Sequence, residues 1–267
     1  MTYPFEKYMA LGSATFQQRV AYRNVFFMTL AGQVMLLLSM YFVWRALYAG
    51  RSSLGGFSWS EMQTYMLFTF FGNAVIGLHS ELMMSYRILD GSVAIDLLKP
   101  LDYQTARLVE TVTTALIEGV IAVGVVWVVA LLLGASLWPI SGLSGVLGTL
   151  SFGLGVLIKF GVVYLSGMIC FWTTNGWGVA WAQASVSQLF SGALVPLPFL
   201  PGWLRTIADW LPFKGMIYSP IIIYLGRVDL PTSRRILALQ TAWVFALWVL
   251  GRICWRVMIR KVTIHGG

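Results

Sequence analysis

The residues with chemical potential lie at three places along the chain. On a helix, Arg107, Glu110, Thr111, Thr114 and Glu118 fall within an arc of roughly 100°, so one face of an otherwise apolar run is polar. A second charge, Lys159, stands near the middle of another apolar run, and His79 and Glu81 stand near the end of a third. An ionised carboxylate in hydrocarbon costs about 2.5–3.5 kcal/mol on insertion scales, so Glu118 has to face protein or water. It reads either as a lining or gating position of a pathway, or as a protonated acid or a partner in an interhelical hydrogen bond. Lys159 is a candidate partner for it, one that the sequence does not establish.

The rest of the chemistry is defined by what is missing. No Gly-rich loop ends in Gly-Lys-Ser/Thr, so the chain is not expected to bind ATP in that way. His79 and His265 are the only histidines, and Cys170 and Cys254 the only cysteines. The cysteines read as buried thiols without metal-ligand spacing, and no metal site is expected. No Ser, His and Asp/Glu set suggests nucleophilic catalysis. Intramembrane charge is too sparse for an ion-coupled carrier. The chain reads as a passive mover driven by energy supplied elsewhere, not as an enzyme.

These residues need elements to position them. Of 267 residues, 58% are hydrophobic and only 10% charged, where a soluble domain carries about a quarter charged. With several apolar runs of about 20 residues, and none of the period-two alternation of an outer-membrane barrel, the expectation is an all-α integral membrane protein. The formal charge of +8 gathers at the ends of apolar runs, as orientation signals do, so no nucleic-acid partner is expected.

Six spans are expected, at about 25–44, 62–84, 108–133, 145–172, 178–194 and 236–257, forming one transmembrane domain over 1–267. Residues 4–23 precede them. Phe5, Met9, Gly12, Phe16 and Val20 recur near helical spacing, which predicts an amphipathic interfacial helix. The start, MTYPFEKYM, lacks the pattern of a cleaved signal peptide, so the first span is expected to stay in the membrane. Gly148, Gly153, Gly155, Gly161 and Gly167 in the fourth span allow close helix approach. Residues 195–218 break the pattern. Pro196, Pro198, Pro201 and Pro212 bracket a helix of about ten residues, 202–211, too short to span. With Phe199, Trp203 and Trp210, the stretch reads as a re-entrant or interfacial hairpin.

One polar interruption organises the rest: residues 85–107, SYRILDGSVAIDLLKPLDYQTAR. Its charges, Arg87, Asp90, Asp96, Lys99, Asp102 and Arg107, keep it out of hydrocarbon. Its apolar residues, Ile88, Leu89, Val93, Ile95, Leu97 and Leu98, give it structure. Gly91 can stop a helical turn, Asp90 or Ser92 can cap the next, and Pro100 ends whatever runs through 95–99. The reading is a short helix across a membrane surface; an ordinary connecting loop is the plain alternative. With termini on the cytoplasmic side, ten basic residues fall inside (Lys7, Arg19, Arg23, Arg87, Lys99, Arg107, Arg252, Arg256, Arg260, Lys261). Seven fall outside (Arg45, Arg51, Arg205, Lys214, Arg227, Arg234, Arg235), a bias that puts this loop in the cytoplasm.

These features together resemble the permease subunits of ABC type-2 exporters, in particular a viologen-exporter-like bacterial subfamily. Tyr22-Arg23 opens the first span and Trp44 closes it. Asp90-Gly91 and then Asp96-Leu97-Leu98-Lys99-Pro100-Leu101 lie between spans two and three, matching a loop of Gly, an apolar pair, a basic residue and Pro-Leu. Leu211-Pro212-Phe213 closes the hairpin, and Gly266-Gly267 follow a basic tail.

The resemblance implies a coupling helix in the 85–107 loop, with Asp90, Gly91, Asp96, Lys99 and Pro100 docking on a separate ATPase. It implies an outer-gate hairpin at 195–218 with Pro198, Pro201, Trp203 and Pro212. It further implies a connecting helix at 4–23 and a working unit of two permeases and two ATPases in the bacterial inner membrane, with both termini cytoplasmic. ATP and Mg would be held by the partner, no cofactor by this chain, and lipid would surround it. Glu110, Thr114, Glu118 and Lys159 remain pathway or interhelical polar positions. The cargo is expected to be amphipathic or hydrophobic. A membrane-embedded enzyme using the Glu110–Glu118 face and a non-transporting scaffold subunit are the alternatives.

Overall fold

The computed structural model describes residues 4–21, 23–75, 85–173 and 175–259. Helix α1 is Pro4–Ala21 and α2 is Arg23–Leu47. Strands β1 (Ser53–Leu54) and β2 (Phe57–Ser58) pair antiparallel around Gly55-Gly56. Helix α3 is Trp59–Val75, α4 a helical stretch at 85–89, and α5 Val93–Leu97. Helix α6 is Tyr103–Leu133, and α7 is Gly142–Gly167 with a 3-10 turn, Met168–Phe171, behind it. Helix α8 is Gly176–Ser191, α9 Gly202–Trp210, α10 Tyr218–Tyr224 and α11 Leu230–Met258.

Four helical segments among the described residues are long and apolar enough to cross a membrane: Phe27–Leu47, Tyr103–Leu133, Gly142–Phe171 and Leu230–Met258. The two other expected spans differ. The described part of α3 ends at Val75, and the rest of that candidate, with His79 and Glu81, lies outside the described residues. Helix α8 has 16 residues. At 1.5 Å per residue it covers about 24 Å, short of a hydrocarbon core of about 30 Å. The 31-residue α6, about 46 Å long, exceeds that thickness.

Packing divides into two apolar clusters. The larger runs through the bundle to the β-hairpin end, where Trp44 and Phe199 meet with ring centroids 5.0 Å apart. The smaller, at the loop end, gathers Val93, Tyr103, Phe160, Tyr164, Trp255 and Met258. Helix α7 is the common support of α10 and α11. Its glycine stripe makes that possible: a Cβ on Gly155 would stand 2.8 Å from the Met216 carbonyl oxygen, a backbone atom that cannot rotate away. Gln240 of α11 crosses the same layer. Its amide donates to the Gly215 and Ser151 carbonyls at 2.7 and 3.1 Å, and its oxygen accepts from the Ser151 hydroxyl at 2.8 Å. Between α3, α6 and α7 an apolar cleft of about 1060 Å³ opens along Phe71, Val123 and Leu154.

Helix α1, expected from its stripe to lie in the interface, packs against α6. It climbs along α6 in the same direction: Tyr8 meets Asp102, Gly12 lies against Thr113, and Arg19 reaches Glu118. Its amphipathic face is therefore spent on a helix neighbour rather than only on the membrane surface.

Candidate functional site

The stretch 85–107 folds into two short helices and a cap. Asp90 Oδ1 accepts from the Ser92 N–H at 2.9 Å, bending the chain over Gly91, whose φ is +75°. That left-handed conformation suits glycine, which has no Cβ to clash. Helix α5 follows. Its N-cap, Ser92, makes no side-chain capping bond. After Pro100, Asp102 caps α6 by accepting from the Thr105 N–H and hydroxyl at 2.9 and 2.6 Å.

Two faces of α5 do different work. Val93 and Asp96, three residues apart, turn inward. Val93 enters the loop-end apolar cluster. Asp96, only 8% exposed, is the hub of an ion cluster. Arg87 Nη1 lies 2.8 Å from its Oδ2, Lys99 Nζ 2.7 Å from its Oδ1, and Arg107 Nη2 3.5 Å from Oδ2. Glu110 closes the cluster, 2.8 Å from Arg107 and 3.4 Å from Arg87. Three cations face two carboxylates. Burial pushes the Asp96 carboxyl up, but the Lys99 hydrogen bond and the Arg107 and Arg87 guanidiniums outweigh it and hold it below the usual aspartate range.

The outward face is apolar. Ile95 is 63% exposed and Leu98 84%. Asp90, Gly91, Lys99 and Pro100 are exposed around them. The loop apolar residues thus separate into an anchoring set, Ile88 and Val93, and a displayed set, Ile95 and Leu98 foremost, with Leu89 and Leu97 less exposed beside them.

The end of the loop and the start of α6 are tied to two other elements, α1 and α11, at one corner. The Asp102 carboxylate pairs with Arg252 of α11, and its backbone N–H donates to the Tyr8 hydroxyl of α1 at 3.2 Å. Burial raises the Asp102 carboxyl, while Thr105 and Arg252 more than reverse this and lower it. Tyr103 stacks on Trp255 with centroids 4.1 Å apart and planes 2° from parallel. Gln104 Nε2 donates to the Trp248 carbonyl at 3.1 Å.

The polar arc of α6 is split by this packing. Arg107 and Glu110 belong to the loop cluster, whereas Glu118, one of the buried residues of α6, lies 3.6 Å from Arg19 of α1. Thr114 and Lys159 are both buried. Among the described residues no group of His, Cys, Asp and Glu could hold a metal ion; Cys170 is buried and Cys254 half-buried. The hairpin 195–218 holds Pro198 in a 3-10 turn, Pro201 as the N-cap of α9, an exposed Trp203, and Pro212 opening a second 3-10 turn. A small cavity of about 100 Å³ between α2, α3 and α8 is lined by Gln33, Thr69, Asn73 and Gln188 among methionines and aromatics.

Sequence reasoning missed the Asp102 corner and the outward pair. An Asp followed three residues later by Thr, ahead of an apolar run, is a signal that would have found Asp102 as the cap of α6, though not its pairing with Arg252. No signal separates Ile95 and Leu98 from Ile88 and Val93, because both pairs are apolar.

A family model described as ABC-2 family transporter protein matches residues 34–266. The chain belongs to the ABC-2 family of transporter proteins. It is a multi-pass membrane component and a transport subunit rather than an enzyme, in a family whose permeases generally work with an ABC ATPase. No curated protein matches the chain closely enough to count as a relative.

Proposed function

We propose that this chain is the permease subunit of an ATP-driven bacterial exporter of the viologen-exporter-like type, moving an amphipathic or hydrophobic substrate out of the cytoplasm. The observation that carries the reading is the division of α5: a rigid, ion-paired inner face and a displayed apolar outer face at Ile95 and Leu98. A loop that merely joined two spans would gain nothing by exposing these side chains to water. Burying each against a partner contributes about 1.5–3 kcal/mol.

In this account the ATPase, holding ATP and Mg, binds Ile95 and Leu98, with Asp90, Gly91, Lys99 and Pro100 at the rim. Asp96 supports the surface from behind. Closure of the ATPase pair on ATP pushes the loop. The push enters α6 through Asp96–Arg107, α11 through Asp102–Arg252 and Tyr103–Trp255, and α1 through Tyr8.

The chain crosses the inner membrane six times, and both termini are cytoplasmic. Two permeases form the unit. The hairpin 195–218, with Pro198, Pro201, Trp203 and Pro212, acts as the outer gate. The substrate meets the neutral polar wall of Gln33, Thr69, Asn73 and Gln188. Glu118 serves as an interhelical contact; Glu110 and Thr114 belong to the α6 face that carries the push, and Lys159 to the buried polar interior. The test is a pair of substitutions, Ile95→Asp and Leu98→Asp, which should abolish ATPase association and ATP-driven transport together. Full transport in that variant overturns the reading.

A further inference from the structure

Four buried polar atoms at the loop end have neither a hydrogen-bond partner nor an ion pair among the described residues: the hydroxyls of Tyr103 and Tyr164, Gln104 Oε1 and Arg107 Nε; a fifth, Arg107 Nη1, is ion-paired with Glu110. Each residue is more than nine-tenths buried. Their side chains adjoin one another. The Arg107 guanidinium carbon lies 5.1 Å from the Tyr103 ring centroid, and the Tyr103 and Tyr164 rings are 6.4 Å apart. Gln104 and Tyr164 crowd together over Gly251, whose Cβ would meet their atoms at 2.8 and 3.1 Å. Buried polar groups are almost always satisfied, by protein or by ordered water, and four orphans side by side in one joint are outside that rule.

The donor set selects the ligand. Arg107 Nε can only donate and repels a cation. Gln104 Oε1 can only accept and gives an anion nothing to bond. The tyrosine hydroxyls do both. A small neutral molecule that donates and accepts is the one species that completes all four. Water is within reach, because the loop ion cluster marks the end at which α6 leaves the hydrocarbon.

We infer that Tyr103, Tyr164, Gln104 and Arg107 form an internal hydration site that holds ordered water between α6, α7 and α11, directly behind the coupling loop. This goes beyond the proposed transport role and does not depend on it. The site matters mechanically: water-bridged groups exchange partners at little cost, so these four groups do not resist small shifts of α6 against α7 and α11.

The experiment is hydroxyl-radical footprinting of the purified full-length chain in detergent, with radicals generated from solvent and bound water by an X-ray pulse. Tyr103 and Tyr164 should be oxidised well above Phe57, a ring just as buried but packed under the Arg227 guanidinium. Oxidation at or below the Phe57 level overturns the inference. Tyr164→Phe gives an independent sign. If water bonds the hydroxyl, the variant loses that bond and its melting temperature falls by about 2–4 °C. If the hydroxyl is dry, removing an unsatisfied buried group leaves the melting temperature unchanged or raises it, which overturns the inference.

Discussion

Arg87 Nη1 stands 2.8 Å from Asp96 Oδ2, so the first half of the loop is clamped to the second across the Gly91 turn. The same carboxylate reaches Lys99 and Arg107, which ties α5 to the start of α6. A nearly buried carboxylate with three cations has a definite consequence. Removing it leaves positive charge in a half-buried setting with one carboxylate to answer it.

Asp96→Ala should therefore cost about 3 kcal/mol, the order found when one partner of a buried pair is deleted. In melting experiments on the purified chain it should lower the midpoint far more than Asp90→Ala, whose carboxylate is exposed and holds one backbone N–H. Equal midpoints for the two variants would remove Asp96 from the centre of the loop.

Acid should erase the same stabilisation. The Asp96 carboxyl is held below its ordinary value of 3.8, so the folded state binds the proton less readily than the unfolded one. Its contribution is complete above about pH 4 and is lost as the pH falls through the lower folded value. The difference in melting temperature between the native chain and Asp96→Asn should be constant from pH 7 to 5 and shrink below 4. A difference that grows as the pH falls would contradict the sign.

Arg19 and Glu118 couple α1 to α6 across a 3.6 Å ion pair, with Glu118 buried. Arg19→Gln and Glu118→Gln each leave one charge without its partner there. Polar contacts between membrane helices couple by roughly 0.6 kcal/mol on average and up to about 1.7. The double variant should then be no less stable than the worse single variant. Strictly additive losses in a melting cycle would show that the pair is not coupled.

Much of the site's position was legible in the sequence, and its orientation was not. Charge content marked 85–107 as a structured interruption, and Gly91 and Pro100 marked where its helix begins and ends. Those are local properties. The inward turn of Asp96 depends on Arg107, and the Asp102 corner on Arg252, a residue 150 positions away; composition and periodicity carry no information about such pairings. The climb of α1 along α6 was hidden for the same reason, because an amphipathic stripe fits a membrane surface or a helix neighbour equally well. Helix α8 was read as a span from apolar content, while its 16-residue length was decided by the αL cap at Gly192, where φ is +81°.

In the proposed function Ile95 and Leu98 form the docking surface for the ATPase. Affinity purification of the tagged chain in mild detergent, with mass spectrometry of what accompanies it, tests this most directly when the native chain and the Ile95→Asp, Leu98→Asp variant are run side by side at matched melting temperature. The account predicts an ABC ATPase at near equal ratio with the native chain and its loss from the variant. A native chain that purifies alone, or a variant that keeps the ATPase in full, would contradict it.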